Sequence, residues 1–189
     1  MANKDAAFGL KPIGKVGQNG ANNGLSEYLI AASATAIYFQ DPVAMAATGT
    51  VTVAAAGGVL LGSLNGVFFT DATTSKPTFA NHLNASNTAT DIKGFVTDDP
   101  YQRYEVQSDN TGASAQTDIG NVADIVYAAG SSPDFVSKVE LDDSDLATSD
   151  GQLKVIGVSR DPENSDLTSA NVNFVVTINE HFLKQEAGV

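Results

Sequence analysis

Apolar side chains in this chain recur at every second position, and they do so in short runs. The clearest run is "NVNFVVTINEHF". Val172, Phe174, Val176 and Ile178 fall on one face, and Asn173, Thr177 and Asn179 on the other. A period of two is the signature of a strand with one buried face. In "DPYQRYEVQSD", Tyr104 and Val106 face one way while Arg103, Glu105 and Gln107 face the other, which predicts a strand with one wet face. "DFVSKVELDD" sets Val139 and Leu141 against Lys138 and Glu140. Further strands are predicted in "SEYLIAA", "ATAIYFQDPVA", "GTVTVAAAGG", "VADIVYAAG" and "LKVIGVSRDPEN", which are rich in β-branched and aromatic residues. "VLLGSLNGVFFTDA" reads as two buried strands joined at Asn65-Gly66, the dipeptide favoured in type I′ hairpin turns.

The spaces between these runs are polar. Residues 71–91 are rich in Ser, Thr and Asn and predict a long surface loop. "NTGASAQTDIGN" and "DSDLATSDGQ" predict connectors with at most a short helical turn. No stretch carries a sustained helical period with caps, and none repeats at a fixed interval. Many short strands punctuated by turn residues predict an all-β fold: an antiparallel β-sandwich of jelly-roll type or a small β-barrel.

Residues 1–24 break the pattern. Gly9, Gly14, Gly17, Gly20 and Gly24 interrupt any helix or long strand. The sequence therefore predicts an extended, flexible N-terminal arm over 1–24 and a β-rich domain over 25–189. Phe8, Leu10, Ile13 and Val16 supply apolar anchors along the arm, with Lys11 and Lys15 between them. These six are the candidate contacts to a partner or a neighbouring subunit. On this reading, deleting the arm leaves the β-domain folded.

Charge sharpens the contrast. The 189 residues carry a formal net charge of −12. Residues 1–24 hold three lysines and one aspartate, so the remainder of the chain is more acidic still. A positively charged arm favours an acidic surface, its own or a neighbour's. The overall sign argues against nucleic acid and against anionic membranes as partners. "MANKDAAFGL" is too polar for a secretory leader, and no apolar run approaches the ~18 residues of a membrane span. A hydrophobic content of 42% suffices for a core, and the absence of cysteine removes disulfides and thiolate metal sites.

Candidate chemistry is sparse. His82 and His181 are too few for a zinc signature. The glycines at 17, 20 and 24 lack the preceding strand and closing Gly-Lys-Ser/Thr of a phosphate loop, and "GSLNG" misplaces its serine for a nucleophile elbow. Asp142, Asp143 and Asp145, with Asp150-Gly151 beyond, and the pair Asp98-Asp99 could offer oxygens to calcium. They lack the EF-hand order, and solvated turn acids are the simpler reading. A carboxylate pair could also serve a glycosidase, but aromatic sugar platforms are scarce. The expectation is therefore no catalytic residue, no metal and no cofactor.

The opening "MANKDAAFGLKPIGKVGQNGANNGLSEYLI", followed by "ATAIYFQDPVAM", resembles the N-terminal region of head decoration (capsid cement) proteins of tailed bacteriophages. The likeness covers about the first quarter of the chain, and "VIGVSRDPENSD" near the end is compatible with it. The resemblance implies a β-rich structural protein, commonly a homotrimer, made in the host cytoplasm. It would bind the major capsid protein on the outer surface of the expanded head and stabilise contacts between capsomers. A head fibre or a tail or host-attachment module is the alternative, with the 71–91 loop as its candidate contact.

Overall fold

A computed structural model describes residues 2–17, 24–109, 114–147 and 149–184. Its strands are β1 (Lys11–Lys15), β2 (Ser26–Leu29), β3 (Pro42–Met45), β4 (Val51–Val53), β5 (Gly62–Thr70), β6 (Pro77–Ala80) and β7 (Lys93–Thr97). They continue as β8 (Gln102–Gln107), β9 (Val122–Ala123), β10 (Ile125–Val126), β11 (Glu140–Leu141), β12 (Leu153–Val158) and β13 (Asn173–Ile178). Among the described residues the helical elements are single 3₁₀ turns at Gln116–Asp118, Asp143–Asp145 and Phe182–Lys184. The chain is thus all-β, with several antiparallel sheets.

The first sheet runs in the order β1-β8-β13-β12-β9, and β10 and β11 form a separate pair. Its core follows the alternation read from the sequence. Val172, Phe174, Val176 and Ile178 pack with Tyr104, Val106, Val139, Leu141, Leu153 and Val155. The second sheet runs β2-β7-β5-β3-β4, with β6 on the far half of β5. Ile30, Ile37, Val43, Leu61, Leu64, Val67, Leu83, Ile92 and Val96 fill its core. The two sheets are joined at buried points. Leu60 N–H donates to the Glu180 carbonyl at 2.9 Å, and Ser137 N–H to the Phe39 carbonyl at 2.8 Å.

Four sequence expectations are corrected. Residues 11–15 do not form an arm apart from the domain. They are a strand, β1, paired antiparallel with β8, with a bulge between Pro12 and Gly14. Gly14, which argued against a strand, sits beside that bulge at φ +151°, a backbone conformation that side chains disfavour. The face of β8 expected to be wet is covered: Glu105 and Gln107 are buried. Gln107 accepts from Ala6 N–H at 2.8 Å and donates to the Lys4 carbonyl at 3.0 Å. The N-terminal segment replaces water on that face.

Asn65-Gly66 is not a hairpin turn. Leu64 and Gly66 both pair with β7, opposite Val96 and Phe95, so the dipeptide is a bulge within one nine-residue strand. A Cβ on Gly66 would stand 3.0 Å from the Ala80 carbonyl oxygen, which explains the glycine without a turn. The reversal lies later, at residues 71–76, where Asp71 accepts from Thr73 and Thr74 N–H at 3.0 and 2.7 Å. The expected 71–91 loop accordingly contains β6, paired through Val67–Thr70 to β5.

Candidate functional site

The six N-terminal candidates divide into those the protein uses for itself and those it turns outward. Gly9 adopts φ +77°, and a Cβ there would lie 2.4 Å from both the Gln40 carbonyl oxygen and Ser137 Cβ. Only glycine lets the backbone pass this closely. The passage delivers Leu10, fully buried, into the first core. Its N–H donates to the Gln40 carbonyl at 2.9 Å, and its carbonyl accepts from Ser63 Oγ at 2.6 Å. Leu10 is a residue of the fold, and its assignment to a partner contact is corrected here.

Lys11 lies beside Glu105 at 2.9 Å, with its ammonium 5.7 Å from the Phe8 ring centroid. Lys15 pairs with Asp99 at 2.5 Å. That pairing, with Tyr101 N–H donating to the same carboxylate, holds Asp99 below the usual carboxylate range. The positive charges of the segment therefore meet acids of their own chain, one of the two destinations that charge allowed. Ile13 and Val16 remain 43% and 46% exposed, on the outer edge of the first sheet.

The acidic candidates serve local structure. Asp98 accepts from the Tyr28 hydroxyl at 2.6 Å, and burial followed by that contact pushes the phenol up. Asp142 accepts from Ser144 N–H and Oγ, at 3.0 and 2.6 Å, and so caps its 3₁₀ turn. Asp143 is buried, and its N–H donates to Asp109 at 3.3 Å. Glu140 is pushed up to about 7, first by burial and then by Asp5, Asp109 and Asp143. Asp124, Asp145, Asp150 and Glu180 line a polar hollow beside Gly57 and Gly151. Among the described residues no three His, Asp or Glu side chains are grouped so as to hold a metal ion.

The histidines are far apart in role as well as in sequence. His82 stacks on Phe135 with centroids 3.8 Å apart and planes within 1°, and burial lowers its pKa. His181 is fully buried; its Nδ1 accepts from Leu183 N–H at 3.1 Å, which places the proton of the neutral ring on Nε2. Burial, then Lys184, push it down to about 4. It pins the last 3₁₀ turn to the domain.

Sequence reading passed over the outward aromatics. Phe79, inside the supposed loop, is 74% exposed, and Tyr101 also faces solvent. A signal was available: Phe68 and Phe69 are adjacent in one strand, so they must face opposite sides. Phe69 packs on the second core, which leaves Phe68 outside. Comparison with protein-family models, curated proteins and solved structures returned no match.

Proposed function

We propose that this chain is a structural virion protein of a tailed bacteriophage. It binds the outside of the expanded head and holds neighbouring capsomers together. Its partners are the major capsid protein and further copies of itself, as a homotrimer, and it catalyses no reaction. The observation that carries the reading is the likeness of the opening quarter of the chain to phage head decoration proteins. Two features support it: an acidic domain that would stay soluble before assembly, and exposed apolar side chains mounted on strands. Phe8, Lys11, Ile13, Lys15 and Val16 on and beside β1 are the proposed contact line, with Leu10 holding that line in place from beneath.

We propose further that the second sheet curls toward a small barrel. A parallel bridge from Ile30, just after β2, to Val51 in β4 links the two ends of that sheet. Rigid, closed modules suit a part that bears load.

The test is co-sedimentation of the purified protein with undecorated heads, expanded and unexpanded. Saturable binding to expanded heads alone is the expected result. Binding to neither form would overturn the proposal and favour a tail or host-attachment part.

A further inference from the structure

The second sheet turns one face away from its core, with Leu29 and Phe79 exposed on it among the described residues, and its register defines that face residue by residue. Directly paired residues of neighbouring strands point to the same side. Tyr28, Gly94, Val67 and Ala80 form one row across β2, β7, β5 and β6. Tyr28, Val67 and Ala80 belong to the second core, and a Cβ on Gly94 would strike Ile30, so this row faces inward. The next row must face out. It consists of Leu29, Lys93, Phe68 and Phe79.

Phe68 and Phe79 are in contact, with ring centroids 4.7 Å apart and planes tilted by 50°. Leu29 is 56% exposed. One outward row further along, Phe95 stands between Glu27 and Gly66, with no side chain on the glycine to limit access to its ring. Four strands span about 14 Å at the usual spacing, so these four apolar side chains share one strip, which Lys93 interrupts between Leu29 and Phe68. Apolar side chains gathered on one outward face, two of them exposed and two half-buried, mark an interaction site.

Charge selects the occupant. Glu27 borders the strip on one side. On the other, Asp91 accepts from Thr70 N–H and Oγ1 at 3.0 and 2.7 Å, and Asp71 closes the adjoining turn. Lys93, within the strip, is paired to Glu27 at 2.8 Å, and Lys76 stands in the turn. A rim with more acids than bases, on a chain of charge −12, repels a second identical face as well as nucleic acid and anionic lipid.

We infer that the outer face built by Leu29, Phe68, Phe79 and Phe95 docks a protein surface that presents an apolar groove bordered by lysine or arginine. Resting on the function proposed above, that surface is the outside of the phage head. Phe79 is the anchor that enters the groove, and Phe68 braces it from the side.

The probe is the undecorated expanded head, titrated with wild-type protein, Phe79→Ser and Leu29→Ser. Far-UV circular dichroism and urea midpoints establish that the variants are folded, which their exposure favours. The expected result is at least about ten-fold weaker binding for Phe79→Ser, with wild-type binding that weakens as salt is raised. Wild-type binding with Phe79→Ser and Leu29→Ser both unchanged overturns this inference and leaves the proposed function intact. Binding indifferent to salt overturns the choice of a basic groove. A Phe79→Ser change in the oligomeric state of the protein alone, by sedimentation velocity, overturns it in favour of a contact between copies. Failure of the wild type to bind any head overturns the function and this inference together.

Discussion

Replacing Leu10 by alanine separates two descriptions of the N-terminal segment. If it were an appendage, the domain would not sense the change. In the structure Leu10 is fully buried among the residues of the first core, and both its backbone polar groups are hydrogen-bonded. Alanine removes three carbons and leaves a cavity that the neighbouring strands cannot fill, because Gly9 is wedged against Gln40 and Ser137. Leucine-to-alanine changes at such sites cost about 2–5 kcal/mol. Taking about 3 kcal/mol, a chain of this size should lose roughly 10 °C in Tm, and the urea midpoint should fall by about 1–2 M. Ile13→Ala, at the extra residue of the bulge and 43% exposed, serves as the control; its change should stay within about 0.5 kcal/mol. Equilibrium urea unfolding of both variants, followed by circular dichroism, gives the comparison. A Leu10→Ala midpoint equal to that of Ile13→Ala would refute the docking of β1. The same reasoning reverses the expectation for deletion of residues 1–24. The deletion should destabilise the domain as well as weaken attachment, so truncation alone cannot identify a contact.

Other consequences can be measured separately. Protonation of His181 is resisted in the folded state, with a value of about 4 against an ordinary 6.5. Its contribution to stability is complete above pH 6.5 and is lost as pH falls toward 4, and His181→Asn should flatten that slope in urea titrations. Asp41 acts in the opposite direction. Burial raises its carboxyl to about 6, so stability declines as pH climbs from about 4 to 6; Asp41→Asn should remove the decline and stabilise the protein at pH 7. Gly62→Ala places a Cβ 2.1 Å from the Thr97 carbonyl oxygen across β5 and β7; a cost of about 3 kcal/mol or more is expected by thermal melting. Lys15→Ala should cost only about 0–1 kcal/mol, yet it should raise the pKa of Asp99 in an NMR titration.

Much of the first sheet was legible because its central strands obey a strict period of two. The alternation from Val172 to Ile178 alone marks its apolar positions as core, and all four are buried there. The parts that were not legible share a physical cause, namely that distant segments supply what local sequence lacks. Glu105 and Gln107 look solvated until the N-terminus, some hundred residues earlier, is found lying over them. Asn65-Gly66 carries turn chemistry, but pairing on both of its sides with β7 overrides the local preference. The composition of "VADIVYAAG" predicts one strand. It is broken into β9 and β10 at Asp124, whose carboxylate accepts from Gln152 N–H at 3.0 Å. The proposed contact residues were harder still. Lysines and glycines in an opening segment suggest an arm, and only the Leu10 pocket and the two ion pairs reveal that the segment is part of a sheet.

The order of strands has a consequence for how the protein is made. All strands of the second sheet, β2 to β7, are consecutive in the sequence, whereas the first sheet combines β1 with β8, β9, β12 and β13. The second sheet can therefore be completed as soon as residue 97 clears the ribosome. β1 must wait for β8, roughly 90 residues later, or about 5–20 seconds at ordinary rates of synthesis. During that interval its apolar side chains and its unpaired backbone are offered to whatever is nearby, including the same strand on a neighbouring ribosome. The lysines at 11 and 15, which later pair with Glu105 and Asp99, repel such a copy in the meantime. The charges that stabilise the finished edge also act as gatekeepers before it is finished.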